Sequence, residues 1–93
     1  MNEIIDDVKF KMLWNAPVRV VVAERHASFV HGPEDALYFL SVRWPCERGV
    51  YYVRAREKCF AAISHRTTMD AAREAFVMAC LNAHLVRDDG YSQ

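Results

Sequence analysis

The chain has 93 residues, 53% of them hydrophobic and 26% charged, and this composition excludes a disordered or linker-rich protein. A chain of this length provides one core, because either half alone would approach the size at which disulfides or metals become necessary. Twelve basic residues balance twelve acidic ones. This neutral balance weighs against a nucleic-acid binder and against a protein of the membrane surface.

The amino-terminal segment gives weak structural signals. Residues 1–7 include three acidic side chains and no long apolar run, so we predict a flexible tail without a secretory signal. Residues 8–13 alternate apolar and basic side chains, which is the pattern of a strand. No apolar run approaches the roughly 20 residues that a membrane-spanning helix requires. We therefore expect no contact with a membrane.

Two strands follow and are predicted to form a hairpin. Pro17 precedes Val18–Ala23, a run rich in β-branched residues that predicts the first strand. The second strand is predicted from Ala27 to Gly32 after a short polar connection. Because Val20, Val21 and Val22 are consecutive, both faces of the first strand are apolar. A two-stranded sheet by itself is marginal in water, so other elements must cover it.

Two helices are predicted in the middle of the chain. Pro33 at a first helical position, with two acidic residues after it, predicts a helix that ends near Arg43, before the Trp44-Pro45 pair. Its predicted buried stripe comprises Ala36, Leu37, Leu40 and Trp44. Gly49 separates this helix from a second one, predicted over Val50–Ile63. The buried stripe of that helix is predicted to comprise Tyr52, Ala55, Cys59, Ala62 and Ile63.

A third helix is predicted over Thr67–Leu85. Thr67 and Asp70 have the spacing of a capping box, in which each side chain satisfies an amide of the first turn. Its stripe of mostly small residues comprises Ala72, Ala75, Phe76, Ala79, Cys80 and Ala83. Small residues allow close approach of a neighbouring backbone, so this stripe indicates packing rather than catalysis. Residues 87–93 lack periodicity and are predicted to form a flexible tail.

The predicted fold class is therefore α+β, in which a β-hairpin packs against three α-helices in one domain over residues 8–86. Residues 8–13 are a possible third strand. The helical phases predict a core where the three helices meet. Its predicted members are Trp44, Tyr52, Cys59, Phe76 and Ala79.

The order of several residues resembles a known family. These residues are the Pro17-Val18 strand, Asp35-Ala36-Leu37, Trp44-Pro45, Gly49, Tyr52, Ala55, Cys59 and the run Ala72-Arg73-Glu74-Ala75-Phe76. Over roughly residues 14–86 the chain is similar to a family of short alphaproteobacterial proteins known as domain of unknown function 982. The resemblance implies a small cytoplasmic protein without an assigned reaction, and it provides no catalytic residue.

The three cysteines and four histidines show none of the short paired spacings of zinc sites or disulfide scaffolds. We expect no metal, no cofactor, no disulfide and a reducing cytosolic location. Cys59 and Cys80 fall on buried stripes and are expected to act as small hydrophobic residues, whereas Cys46 is expected to be exposed. His65 and His84 are expected near helix C-termini. No nucleophile motif or phosphate-binding loop is present, so an enzyme is not predicted.

One segment of the chain has a local charge excess. Residues 43–73 contain seven basic and three acidic side chains. Arg54, Lys58 and Arg73 are the candidate ligand-binding residues for an anionic small molecule or a nucleic-acid backbone. The alternative is an ordinary solvated helix face, which the neutral overall charge and the intervening Glu57 favour.

The leading functional interpretation is a small non-enzymatic protein-interaction module that forms a homodimer. The first predicted strand offers one edge to its hairpin partner, while residues 8–13 are the one internal segment expected to cover the other. A second copy could pair with that edge instead, and the stripe of small residues offers a further surface for close packing. A binder of an anionic ligand through the basic helix face is the alternative function.

Overall fold

The computed structural model describes residues 12–22 and 27–86 and has the predicted α+β architecture. Strands β1 (Val18–Val21) and β2 (Ala27–Val30) form an antiparallel hairpin. Helix α1 (Pro33–Tyr38) continues as a π-helical turn, Phe39–Arg43. Helices α2 (Val50–Ile63) and α3 (Met69–Asn82) follow. The predicted tails at 1–7 and 87–93, and residues 8–11 of the possible third strand, lie outside the described residues.

The hairpin has one covered face and one open face. Val18 pairs with Val30 and Val20 with Ser28, and all three valines are buried in the core. The alternate positions place Arg19 opposite Phe29 on the other face, where both side chains are exposed. Side chains alternate between faces along a strand, so a single face of this short sheet supplies the core.

The hairpin edges have internal hydrogen-bonding partners. The amide of Val21 donates to the carbonyl oxygen of Leu85 at 2.9 Å, so part of the free edge of β1 is occupied by the segment that follows α3. At the other edge, the amide of Trp14 donates to the carbonyl oxygen of His31 at 2.7 Å. Residues 12 and 13 are described and are not a strand. Leu85 was not predicted as a partner of β1, because its contact with Val21 spans most of the chain.

Gly32 forms the tight junction between β2 and α1. Its backbone is extended, with φ −174°, a conformation open to any residue. Its position nevertheless requires glycine, because a Cβ atom there would overlap the carbonyl oxygen of Met12. The segment before β1 therefore crosses directly over the start of α1.

We predict that Gly32→Ala lowers the free energy of unfolding by about 1 to 3 kcal/mol, the usual cost of overpacking a filled site. Gly49→Ala is the matched control, because no atom lies within 4 Å of a Cβ placed at Gly49. Its effect should stay below about 1 kcal/mol, since only the helix cap changes. Urea denaturation of both variants measures the difference, and equal effects would contradict the close crossing.

The C-terminal end of α1 is closed by side chains from beyond it. The last turn of the predicted helix is π-helical and therefore wider than an α-helical turn. Within it, the carbonyl oxygen of Leu40 accepts a hydrogen bond from the hydroxyl group of Tyr52 at 2.9 Å. Arg48 donates from Nη2 to the carbonyl oxygen of Ser41 at 3.3 Å. These bonds satisfy carbonyl groups that a helix end leaves without partners.

Helices α2 and α3 pack through small residues. The buried positions on the two helices are Tyr52, Ala55, Cys59 and Ala62 of α2, and Ala72, Ala75, Phe76, Ala79 and Cys80 of α3. The predicted bounds of α2 are confirmed. The stripe of small residues is buried against α2 of the same chain. It is therefore not available to a second copy of the protein. Its last predicted member, Ala83, is the C-cap of α3 and is partly buried.

Helix α3 is shorter than predicted at both ends. It begins at Met69, because Thr68 rather than Thr67 is the N-cap, and the Thr68 hydroxyl oxygen accepts a hydrogen bond from the amide of Ala71 at 3.0 Å. Asp70 therefore lies in the first turn without the reciprocal capping geometry. The helix ends at Asn82 rather than Leu85.

Both long helices end in the same left-handed cap. His65 has φ 63° and His84 has φ 62°, so each occupies the position where glycine is usual. After α2, the amides of His65 and Arg66 donate to the carbonyls of Ala62 and Ala61, respectively, and the corresponding pair of bonds follows α3. The two histidines therefore lie at helix C-termini, as predicted, and terminate the helices.

Aromatic rings fill the centre of the core. Phe76 is fully buried, with its ring centroid 6.0 Å from those of both Trp14 and Phe39. Trp14 and Phe39 were not predicted as core residues. Of the predicted core residues, Tyr52, Cys59, Phe76 and Ala79 are buried. Trp44 is only partly buried, because it lies at the rim, edge-on to Phe39, and donates from Nε1 to the carbonyl oxygen of Glu47.

Candidate functional site

A shallow groove of about 280 Å³ runs between α2 and α3. Its walls are Tyr51, Arg54 and Lys58 of α2, and Ala71, Glu74, Ala75 and Met78 of α3. Three- and four-residue spacing places the members of each set on one side of their helix. Ala71 and Ala75 are too small to fill the space between the helices, and the groove remains open for this reason.

The structure brings two of the three candidate ligand-binding residues together. Arg54 and Lys58 are exposed and line the same wall of the groove, next to Tyr51. Glu74 faces them from the opposite wall and reduces the positive charge of the groove. The arrangement offers two cationic donors and one aromatic ring to a small anion, with one carboxylate opposing it.

Arg73 is placed elsewhere and contacts the backbone of its own chain. Its Nε donates to the carbonyl oxygen of Ala16 at 2.8 Å, and its Nη2 approaches the carbonyl oxygen of Pro17 at 3.4 Å. Arg73 and Glu74 are adjacent, so their side chains point in directions about 100° apart around the helix. Glu74 lines the groove, whereas Arg73 points towards the start of β1. Arg73 therefore joins α3 to the hairpin.

A second cleft, of about 310 Å³, lies between the α1–α2 loop and the end of α3. It brings Cys46 and His84 to one surface, together with the aromatic side chains of Trp44, Tyr51 and Tyr52. Cys46 is exposed, as predicted, and its thiol donates to the carbonyl oxygen of Ala83 at 3.8 Å. The thiol and the imidazole are 38 positions apart in the chain, and no sequence motif indicated that they share a cleft.

The other two cysteines have the chemistry of buried hydrophobic residues. Burial raises the pKa of the Cys59 thiol from 9.0 to about 12. Burial, followed by the proximity of Cys59, raises the pKa of the Cys80 thiol from 9.0 to about 12. Because the thiolate is the reactive form, neither side chain is a nucleophile near neutral pH. This confirms the interpretation of both residues as small buried hydrophobic groups.

The part of the chain that the structure describes contains neither a metal-binding cluster nor a membrane-spanning helix. Among residues 12–22 and 27–86, no group of three histidine, cysteine, aspartate or glutamate side chains is arranged to hold a metal ion. Over the same residues, the helices are too short or too polar to cross a bilayer.

The side of α2 that faces away from the core exposes an apolar stripe. Val50, Val53 and Phe60 are exposed to 69%, 47% and 50%, and Arg56 and Glu57 lie among them. We call these five residues the α2 outer face. The buried residues of α2 lie on the opposite side of the helix from the two valines and Phe60, and Arg56 lies at the flank of this face. This face was not predicted from the sequence, although the spacing of Val50, Val53 and Phe60 on one helix was the signal that could have revealed it.

Comparison with known proteins identifies a family and nothing beyond it. The family model described as Protein of unknown function (DUF982) matches residues 16–87, most of the chain. This confirms the resemblance that the sequence indicated. No curated protein and no solved structure matches the chain.

Proposed function

The chain belongs to the DUF982 family of proteins of unknown function, and from its exposed surface we propose that it is a non-enzymatic interaction module that forms a homodimer. One observation carries this proposal. The α2 outer face presents three large apolar side chains to solvent on a long, regular helix. Apolar side chains that recur along one exposed side of a helix favour an interaction surface, whereas scattered single ones are ordinary.

Helix α2 is a better dimer surface than the hairpin edge. Leu85 already accepts the hydrogen bond from Val21, and Arg73 binds the carbonyl oxygens of Ala16 and Pro17 just before β1. A partner strand would have to displace these contacts to extend the sheet. Among residues 12–22 and 27–86, the side chains of the α2 outer face form no hydrogen bond with another element that a partner would have to displace. We therefore propose helix pairing rather than strand pairing for the dimer.

The cysteines support a cytosolic protein. All three are free, and two of them are buried thiols without nucleophilic character at neutral pH. Free cysteines of this kind are typical of the reducing cytosol, which is the compartment that we propose.

We predict that the protein elutes as a dimer, with about twice its 10.7 kDa monomer mass, in size exclusion coupled to light scattering at micromolar concentration. Dilution should shift the mass towards the monomer, because the apolar surface on α2 is small and the expected affinity is modest. A constant monomer mass across the whole dilution series would overturn the homodimer.

A second candidate function has its own supporting observation. Arg54 and Lys58 line one groove together with Tyr51, an arrangement that suits a phosphate-bearing small ligand. We propose this groove as the site of the alternative function, anion binding. The opposing Glu74 and the neutral net charge make it the weaker of the two candidates.

If the groove binds anions, a labelled nucleotide titrated at low salt should bind, and Arg54→Ala/Lys58→Ala should abolish that binding. Affinity should also fall steeply as salt is added, because exposed charges are screened. Arg73→Ala is not a suitable probe of the groove, since Arg73 supports the hairpin. Arg66→Ala is the matched control, because Arg66 lies in the turn after α2, outside the groove lining. No binding at low salt would eliminate the anion-binding function.

A further inference from the structure

We propose that the groove and the neighbouring cleft form one site for a nucleoside monophosphate. Its phosphate group binds Arg54 and Lys58, and its base lies against the aromatic side chains of the cleft. This inference rests on the second candidate function, anion binding, and specifies the class of ligand. It adds the cleft to the site, since the groove by itself accounts only for the phosphate group.

The two cavities adjoin at Tyr51, which lines both of them. Met78 of α3 lines the groove, and Asn82, about one helical turn later, lines the cleft. The groove and the cleft therefore lie end to end along one side of the helix pair. Their volumes are about 280 and 310 Å³, and joined together they lie within the range of small-ligand sites, roughly 300 to 1,000 Å³.

The chemical groups of the site follow a definite order along the helices. A short turn joins α2 to α3, so the two helices run antiparallel. Lys58 and Arg54 come first, the ring of Tyr51 lies at the junction, and Trp44 lies in the cleft beyond it. A nucleoside monophosphate has its groups in a matching order, with the phosphate at one end, the sugar in the middle and the base at the other end.

Glu74 distinguishes this ligand from a simple anion. Its carboxylate faces the two cations across the groove and opposes the binding of inorganic phosphate. An ionised carboxylate accepts hydrogen bonds, however, and the sugar hydroxyl groups of a nucleotide are donors. Acidic side chains bind ribose hydroxyl groups in this way in dinucleotide-binding folds. Glu74 therefore favours a sugar phosphate over phosphate alone.

The aromatic end of the site is held in place by the fold. Trp44 donates from Nε1 to the carbonyl oxygen of Glu47 at 3.3 Å, and its ring centroid lies 5.5 Å from that of Tyr52. The hydroxyl group of Tyr52 donates to the carbonyl oxygen of Leu40. Bases stack on aromatic side chains, and rings that are already fixed lose little freedom when a base binds.

The charges favour a single nucleotide over a nucleic-acid strand. Strands are bound chiefly through several phosphate contacts at once. The groove offers two cationic side chains, Arg54 and Lys58, and the whole chain has no net charge. One phosphate group matches this supply of positive charge.

Calorimetric titration of the natural chain at low salt compares three probes, which are adenosine monophosphate, adenosine and inorganic phosphate. Adenosine monophosphate should bind at least about tenfold more tightly than either of the others, because only this probe combines base stacking with the phosphate contacts. Tyr51→Ala should weaken the binding of adenosine monophosphate about tenfold, because a stacking surface is lost. The same variant should leave the affinity for inorganic phosphate unchanged.

Glu74→Gln should affect the probes differently. Inorganic phosphate should bind more tightly to this variant, because the opposing charge is removed. The preference for adenosine monophosphate over inorganic phosphate should fall, since a neutral amide oxygen is a weaker acceptor than a carboxylate. Tyr38→Ala is the matched control for Tyr51→Ala, because Tyr38 is exposed to 60% on α1 and lines neither cavity. It should leave both affinities unchanged, and far-UV circular dichroism should show that every variant remains folded.

The outcomes separate this inference from the function on which it rests. If neither adenosine monophosphate nor inorganic phosphate binds at low salt, anion binding fails and the nucleotide site fails with it. If both bind equally well and Tyr51→Ala alters neither affinity, the groove binds anions but the cleft takes no part, and only this inference is wrong. A short adenine oligonucleotide that binds much more tightly than adenosine monophosphate would replace the single nucleotide with a nucleic-acid strand.

Discussion

Replacing Phe76 with alanine is expected to lower the free energy of unfolding by about 3 to 5 kcal/mol. Phe76 is fully buried, and its ring contacts Trp14 from the segment before β1 and Phe39 from the end of α1. The substitution would leave a cavity where three parts of the chain meet. Because Trp14 and Phe39 are anchored in different elements, the surroundings cannot collapse freely into that space.

Chemical denaturation of Phe76→Ala measures this cost directly, and Phe60→Ala is the matched control. Phe60 loses the same atoms from a half-exposed position on α2, where the change should cost less than about 1 kcal/mol. Both variants should be measured at a protein concentration too low for dimerisation, since Phe60 lies in the proposed interface. A cost below about 1 kcal/mol for Phe76→Ala would contradict the central position of this ring.

The helices that carry a regular apolar stripe were predictable from the sequence. The bounds of α2 follow from Gly49 before it and from the recurrence of Tyr52, Ala55 and Cys59 along it. The same periodicity places Phe76 and Ala79 in the core. In these segments local periodicity and tertiary burial impose the same pattern, so sequence and structure agree.

The core residues that the sequence did not reveal lie outside regular α-helix. Trp14 is buried, but it belongs to an irregular segment without periodicity. Phe39 begins the π-helical turn, where the wider turn displaces residues from the 3.6-residue spacing. Trp44 follows that turn and lies at the rim of the core. Periodicity arguments assume one helix geometry, and they fail where that geometry changes.

The candidate site was only partly predictable for a related reason. Arg54 and Lys58 are four residues apart on one helix, so their shared wall follows from the sequence alone. The role of Arg73 depends on Ala16 and Pro17, more than fifty positions earlier in the chain. Likewise, Cys46 and His84 share a cleft because the α1–α2 loop lies beside the end of α3. Contacts between distant segments require the fold to be known.

The stability of the domain is expected to fall steeply as the pH rises above 9. Burial raises the pKa of the Cys59 and Cys80 thiols from 9.0 to about 12 in the folded protein. Between these two values the unfolded chain releases thiol protons that the folded chain retains. The unfolded state therefore binds fewer protons, and increasing pH favours unfolding. The stability that the two protonated thiols contribute is fully present below pH 9. It is lost as the pH approaches their folded-state pKa values.

The magnitude is about 4 kcal/mol for the Cys59 thiol by pH 12, because each decade of pH between the two pKa values contributes about 1.4 kcal/mol. An ordinary domain is stabilised by roughly 5 to 15 kcal/mol in total, so this contribution is a large part of it. Denaturant unfolding at a series of pH values measures the slope for the natural chain and for Cys59→Ala and Cys80→Ala.

Each of these two variants should show a shallower decline above pH 9, whatever its stability at pH 7, because one titrating thiol has been removed. Cys80 also responds to the proximity of Cys59, so the two effects should not add completely. Cys46→Ala is the matched control, because it removes an exposed thiol instead of a buried one. Equal slopes for all four proteins would show that the two thiols are not held protonated by the core, and Cys59 and Cys80 would then have to be considered as reactive groups.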